Sequence, residues 1–168
     1  EAAERFLELE AAGWKGRRGT ALDSSPEGRT FLLQGLEGMA EEGRCQIDEL
    51  LVDDEVIASI VVVYLGRTAW IWKIAYDEEY APYSPGVQLI LELTPRLLEN
   101  PDIDFTDSCA MPDHPMINHI WRERFPVSDL LITTRDGWIP TSLIVRLESL
   151  RGSLRASAKR FYHNYVRR

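Results

Sequence analysis

The run from Arg67 to Leu91 constrains the fold more than any other part of the chain. It opens with Trp70, Trp72 and Ile74 alternating with Ile71, Lys73 and Ala75, the period of two that belongs to a β-strand, and Lys73 is its one charge. Tyr76 to Tyr83 then brings three acids, three tyrosines and a proline, which a continuing strand would not accept. Ser84-Pro85-Gly86 predicts a helix start, with Ser84 as N-cap and Pro85 at the first helical position, where its missing N–H costs nothing. A strand that delivers a helix N-terminus presents free N–H groups and the positive end of a dipole, a natural seat for an anion.

The flanking chain supplies the rest of one domain. Glu1 to Ala12 reads as a helix with Ala2, Phe6, Leu9 and Ala12 on its apolar face, ended by Gly13. A glycine-punctuated loop with three cations and one tryptophan, Trp14 to Thr20, follows; it reads either as an anion or substrate contact or as a solvated loop anchored by Trp14. Ser24-Ser25-Pro26-Glu27 starts a second helix, which runs to Gly43. Arg44 to Val52, Val56 to Tyr64 and the tryptophan strand, joined by tight turns, predict an antiparallel meander whose middle strand is buried on both faces. The helix from Ser84 is expected to bury Val87, Ile90, Leu91, Thr94 and Leu98, with Pro95 kinking or shortening it. A short strand at Ile103 to Asp107, a helix from Met116 to Arg124, a strand from Val127 to Thr134 and a helix from Pro140 onward complete the order. The class is α+β: a mixed sheet with an antiparallel meander, one βαβ crossover, flanking helices and a basic C-terminal helix.

Charge decides which partners suit this body. The net charge is −8, but residues 151–168 hold six cations and no acid, so residues 1–150 carry 13 basic against 27 acidic side chains, a net −14. A body so acidic repels DNA. Cys45 and Cys109, 64 residues apart, form neither a disulfide framework nor a metal-ligand spacing, which points to a reduced, cytoplasmic setting without a metal. The chain begins in a helical pattern without a methionine, as a piece of a longer protein would.

Four stretches together resemble one family. They are Leu9-Glu10-Ala11-Ala12-Gly13-Trp14-Lys15-Gly16 with Gly19-Thr20-Ala21, Trp72 to Glu78, Tyr83 to Gly86, and Asp107-Ser108-Cys109-Ala110 with Asp113-His114-Pro115-Met116. This combination and the element order are similar to the acyl-CoA N-acyltransferase (GNAT) fold without its first strand. Within that superfamily they resemble the CelD-like, cellulose-biosynthesis-type acetyltransferases, a branch related to the FemAB-type transferases. The resemblance implies a GNAT-like domain over residues 1–138, lacking an upstream strand, followed by a basic amphipathic helix at 139–168. It implies acetyl-CoA or another acyl-CoA as co-substrate, with the pyrophosphate held at Ser84, Gly86, Val87 and Gln88. The acceptor would be an amine or hydroxyl on a small molecule or a glycan precursor, in exopolysaccharide or envelope biosynthesis. Of the usual pyrophosphate motif only Gly86 is present, and the helix after Pro115 lacks the tyrosine that many members place there as general acid. Two alternatives stand beside this reading, an aminoacyl transferase fed by charged tRNA and a non-catalytic assembly module; the C-terminal helix could also pair two copies.

Acyl transfer from a thioester to an amine needs a base, a donor for the oxyanion and an acid for the thiolate. Asp77, just past the tryptophan strand, and Asp107, ending the next one, are expected to face each other across the mouth of the sheet, unless they serve as loop or capping residues. His114 lies between that strand and the next helix, either as a proton shuttle or as a helix cap. Cys109 reads as a buried small hydrophobe rather than a nucleophile. Trp14, Lys15, Trp72, Lys73, Tyr76 and Tyr83 are the candidates for contact with substrate. Lys73 is either an edge charge in water or a cation in the cleft.

Overall fold

The computed structural model describes residues 1–128, 130–132, 134 and 140–165. They fall into two units, Glu1–Arg122 and Glu123–Arg168, each taken by itself below.

The first unit is built on a four-stranded sheet, β1 (Cys45–Val52), β2 (Glu55–Leu65), β3 (Thr68–Tyr76) and β4 (Phe105–Asp107), in that spatial order. The first three strands form the expected meander, antiparallel throughout. Asp53 and Asp54 both take positive φ in the first turn, the geometry that two-residue hairpins demand. Between β3 and β4 the chain crosses over through helix α4 (Pro85–Glu99), so this last pair is parallel.

Helices cover both faces of the sheet. Helices α1 (Ala2–Ala12) and α3 (Pro26–Glu41) bury Phe6, Leu7, Leu32 and Leu36 against Val61 and Ala75. On the opposite face α4 buries Leu89, Ile90, Leu93 and Leu97 against Ala58, Ile60, Val62, Ala69 and Ile71. Strand β2 is sealed on both sides, as its β-branched run predicts. Within the expected start at Ser24–Glu27 the cap of α3 is Ser25, its hydroxyl accepting from the Gly28 N–H at 3.0 Å.

Several local expectations are corrected. Leu91 and Leu98 are exposed, because the buried stripe of α4 follows Leu89, Leu93 and Leu97 at a spacing of four. Pro95 does not end α4, which continues to Glu99; the proline sits on the exposed side, where water can serve the carbonyl it leaves unmatched. Trp14–Arg17 is a short helix, α2, rather than a loop. The helix after Pro115 is a single turn, α5 (Ile117–Ile120). No strand forms at the described residues of Val127–Thr134, of which positions 129 and 133 lie outside the described set.

A further difference lies in β3. Its register against β2 shifts between Val61 and Val62, inserting Trp72 as an extra residue. That bulge changes the phase of the strand. Ile71 and Ile74 therefore share the α4 face, while Trp72 and Ala75 pack toward α1 and α3. The predicted grouping of Trp72 with Ile74 assumed an unbroken period of two.

In the second unit the described helix is α6 (Thr141–Tyr165). Among the described residues no helix is long and apolar enough to cross a membrane.

Candidate active site

Strand β3 is nine residues long and β4 only three, so their pairing ends early. Thr68, Ala69 and Trp70 lie opposite Phe105, Thr106 and Asp107, and beyond that point β3 has no strand partner on this side among the described residues. Among the described residues the main-chain edge from Ile71 to Tyr76 is thereby left without a strand partner. An open edge is a row of hydrogen-bonding groups ready for an extended ligand. It leads into α4 through a 3-10 turn, Glu78–Tyr83, which Asp77 starts by accepting the Glu79 N–H at 2.9 Å.

Against this end of β3 the chain builds two adjoining hollows that share Leu9, Gly13, Tyr76 and Glu78. The smaller, about 30 Å³, lies between α1, α2 and residues Ile74–Tyr76. The larger, about 900 Å³, opens toward the β1–β2 turn, and its rim includes Glu8, Asp54, Glu55, Asp77 and Glu79. Its two arginines already have partners. Arg17 meets Glu78 at 2.6 Å, and Arg5 meets Glu49 at 2.7 Å.

Glu10 lines the smaller hollow, and the sequence expectations gave it no role in the site. It is 2% exposed, yet charged. Its Oε1 accepts from Lys73 Nζ at 2.6 Å and from Lys15 Nζ at 3.0 Å, while Oε2 accepts from the Leu22 N–H at 2.8 Å. Burial alone would push this carboxyl up; the Leu22 amide and the two ammonium groups outweigh it and hold Glu10 below the usual carboxylate range. A signal for it existed. Glu10 follows Phe6 by four residues and Leu7 by three, so it continues the buried stripe of α1. The predicted apolar face was centred about one residue away.

This carboxylate pairs with two of the candidate cations. Lys73 is a cation held inside, neutralised by Glu10, and Lys15 is its second partner. Glu78 completes the clamp on α2, its Oε1 accepting the Trp14 N–H at 2.7 Å. Hydrogen bonding from Arg17, and then from that amide, holds the Glu78 carboxyl below its ordinary range. Trp14 itself is 47% exposed, with the Arg18 guanidinium 5.2 Å from its ring centre.

The other predicted residues separate. Asp77 and Asp107 do not face each other: Asp107 is level with Trp70, seven residues before Asp77, which is about 23 Å at strand rise. The expectation failed because β4 ends so soon. Asp107 instead closes a turn by accepting the Cys109 N–H at 2.7 Å. Cys109 is exposed rather than buried as expected, and its thiol is pushed up, first by desolvation and then by the Asp107 carboxylate, the opposite of what a nucleophile needs. His114 Nδ1 accepts from the Met116 and Ile117 N–H groups, both at 3.3 Å, so the imidazole caps α5. Trp72 packs edge-on against Phe31 of α3, with ring centres 6.3 Å apart. Tyr83 is 70% exposed, and its carbonyl accepts from Gln88 Nε2 at 2.6 Å.

The head of α4 also differs in detail. Ser84 takes the left-handed conformation, φ 52° and ψ 54°, and its side chain caps nothing. Its carbonyl accepts the N–H groups of both Val87 and Gln88, at 2.9 and 3.1 Å, so these are not the free donors expected. Gly86 keeps a distinct position. A Cβ there would lie 3.4 Å from Ile74 and 3.6 Å from Tyr76, so this glycine packs the helix start onto the last residues of β3. The open edge, the hollows and the head of α4 thus converge on Ile74–Tyr76.

Comparison with known proteins gives this geometry a context. A model of the acetyltransferase (GNAT) domain matches residues 1–107. No curated relative matches the sequence. Among solved structures, a "possible acetyltransferase" from Clostridium difficile 630 superposes with a TM-score of 0.58 at 14% identity, over 78% of this chain and 91% of that one. An aminoglycoside acetyltransferase, meta-AAC0020, from an uncultured soil metagenomic sample and in complex with sisomicin, gives 0.54 at 12% identity, over 79% and 90%. AAC(6')-Iy in complex with the bisubstrate analog CoA-S-monomethyl-acetylneamine gives 0.50 at 14% identity, over 80% and 91%. At such identities these likenesses speak for the fold.

Proposed function

The chain belongs to the GNAT acetyltransferase family and so is an acyl-CoA-dependent enzyme; from that premise we propose that it moves an acyl group from acyl-CoA along the open edge of β3 to an amine on a small molecule or glycan precursor. The observation that carries this reading is the parting of β3 from β4 after Trp70, which leaves an edge leading to the head of α4. The acyl-pantetheine arm lies along Ile71–Tyr76 and the pyrophosphate lies at the head of α4 near Gly86, Val87 and Gln88, where the helix dipole favours negative charge. The acceptor enters through the larger hollow. With Arg5 and Arg17 occupied, its acidic rim favours a cationic amine over a neutral hydroxyl.

In the chemical step the amine nitrogen forms a bond to the thioester carbonyl carbon, the C–S bond breaks, and the electron pair leaves on the CoA sulfur. Asp77, on the acidic rim, takes the proton that the cationic amine must lose before its nitrogen can attack. With Nδ1 of His114 accepting backbone N–H groups, Nε2 is the nitrogen that carries a proton in the neutral ring, and it donates a hydrogen bond to the departing thiolate, whose sulfur takes up the proton that the attacking nitrogen loses as the C–S bond breaks. Asp107 positions the turn where the two strands part. The resemblance to the CelD-like branch supports an acceptor from exopolysaccharide or envelope synthesis and a cytoplasmic setting.

The tail carries two further features. The six cations of residues 151–168 favour an aminoacyl transferase fed by charged tRNA as the second reading. Leu143, Leu147, Leu150 and Leu154 recur at the spacing of a pairing helix, which supports a homodimer through α6.

Calorimetry with acetyl-CoA and longer acyl-CoAs, with and without residues 151–168, tests the choice. The expected result is one site per chain and an affinity indifferent to the truncation. No heat with any acyl-CoA, together with tRNA binding lost on truncation, supports the second reading instead.

A further inference from the structure

Glu10 is unusual among the acids of the first unit. It is buried, it holds three hydrogen bonds, and those bonds reach three different parts of the chain: the end of β3 through Lys73, helix α2 through Lys15, and the turn at Leu22 through a backbone N–H. A buried charge is costly, and a hydrophobic residue could pack α1 onto the sheet without that cost. What a charge adds is position. Two ammonium groups drawn to one oxygen fix where α2 and the bulged part of β3 stand relative to each other.

The surrounding geometry leaves little slack. At Gly16 a Cβ would lie 1.7 Å from the Ala11 carbonyl oxygen, so α2 sits directly on the backbone of α1. Glu78 ties the start of α2 to the turn after β3. Glu10 and Lys15 line the small hollow beside Ile74, Ala75 and Tyr76, where β3 has no strand partner among the described residues.

We propose that Glu10 is a positioning residue for acyl transfer: through Lys15 and Lys73 it holds α2 at a fixed distance from the open edge of β3, and so sets the space in which the thioester carbonyl lies. This rests on the reading that acyl-CoA binds along that edge. Glu10 itself donates and accepts no proton in the step. Its carboxylate is committed to both lysines and to the Leu22 amide, and Lys15 is the member of the group beside the ligand's path.

The test needs no knowledge of the acceptor. Acetyl-CoA carrying carbon-13 at the thioester carbonyl is bound to the wild-type chain and to Glu10→Gln, Lys15→Met and Leu36→Ala. Infrared difference spectra report the carbonyl band, calorimetry reports affinity, and melting curves report stability. Leu36, buried in the core between α3 and the sheet, serves as the control for destabilisation alone. The wild-type band is expected to be narrow and displaced from its position in water. In E10Q and K15M it broadens and returns toward the solution position, while the Kd for acetyl-CoA changes less than threefold. L36A keeps the wild-type band despite its lower melting temperature. If E10Q does not fold, the band of K15M alone decides between the outcomes. A wild-type band in the folded lysine and glutamate variants overturns the proposal and leaves acyl-CoA binding intact, as does an L36A band altered to the same degree. Failure of the wild-type chain to bind acetyl-CoA overturns both readings.

Discussion

At the scale of single residues, Glu10 carries the strongest energetic consequence. Removing it leaves two inward-facing ammonium groups without their counter-charge, a change that costs several kcal/mol when a buried pair is broken. The lysine side chains keep 26% and 20% of their surface in water, so Glu10→Ala is expected at the low end, about 3 kcal/mol by urea unfolding at neutral pH. The pH dependence follows from the direction of the shift. Glu10 has a lower pKa folded than unfolded, so on acidification the unfolded chain takes up its proton first. Its stabilisation is complete above the ordinary glutamate value of about 4.3 and is lost as pH falls through that value toward the folded one. Unfolding free energies of wild type and E10Q, measured from pH 7 to 3, should therefore converge in acid; a constant gap would contradict the assignment. Gly86 makes a complementary prediction. Its absent Cβ has ordinary contact distances to Ile74 and Tyr76, so Gly86→Ala should alter stability by no more than about 1 kcal/mol. A tenfold loss of acetyl-CoA affinity in that folded variant would then report crowding of the ligand rather than of the core.

At the scale of elements, the packing of α2 on α1 is the junction most sensitive to one methyl group. Gly16→Ala places a carbon against backbone rather than against a movable side chain, and α2 must shift. The expected loss is about 3 kcal/mol, the upper part of the overpacking range, read by thermal melting. The same scale shows what periodicity can and cannot reveal. The meander and the βαβ crossover were legible because β2 is almost continuously β-branched and because Ser84-Pro85 punctuates the chain in front of α4. The bulge at Trp72 was not: a one-residue register shift depends on how β2 and β3 pair, and neither strand announces it alone. The buried stripe of α4 was misplaced because exposed Leu91 and Leu98 are as apolar as buried Leu93 and Leu97. Strand length, too, is a property of the pair. Ile103–Asp107 looks extended, yet only three residues bond to β3, and that shortness separates Asp77 from Asp107.

At the scale of the whole molecule, the candidate site was legible as a place more than as a set of residues. The strand-to-helix run from Arg67 to Leu91 does border the open edge and both hollows. The carboxylate that organises it lies about sixty residues earlier on α1, and its partners Lys15 and Lys73 were visible as charges without a visible counterpart. Folding supplied the connection. On the proposed reading, acyl-CoA lies along β3 where β4 has left it. Amide resonances followed during an acetyl-CoA titration would locate the ligand residue by residue. The expected shifts are at Ile71–Tyr76 and at Gly86, with α3 unperturbed; saturation without movement of the β3 edge, or shifts confined to other elements, would contradict it.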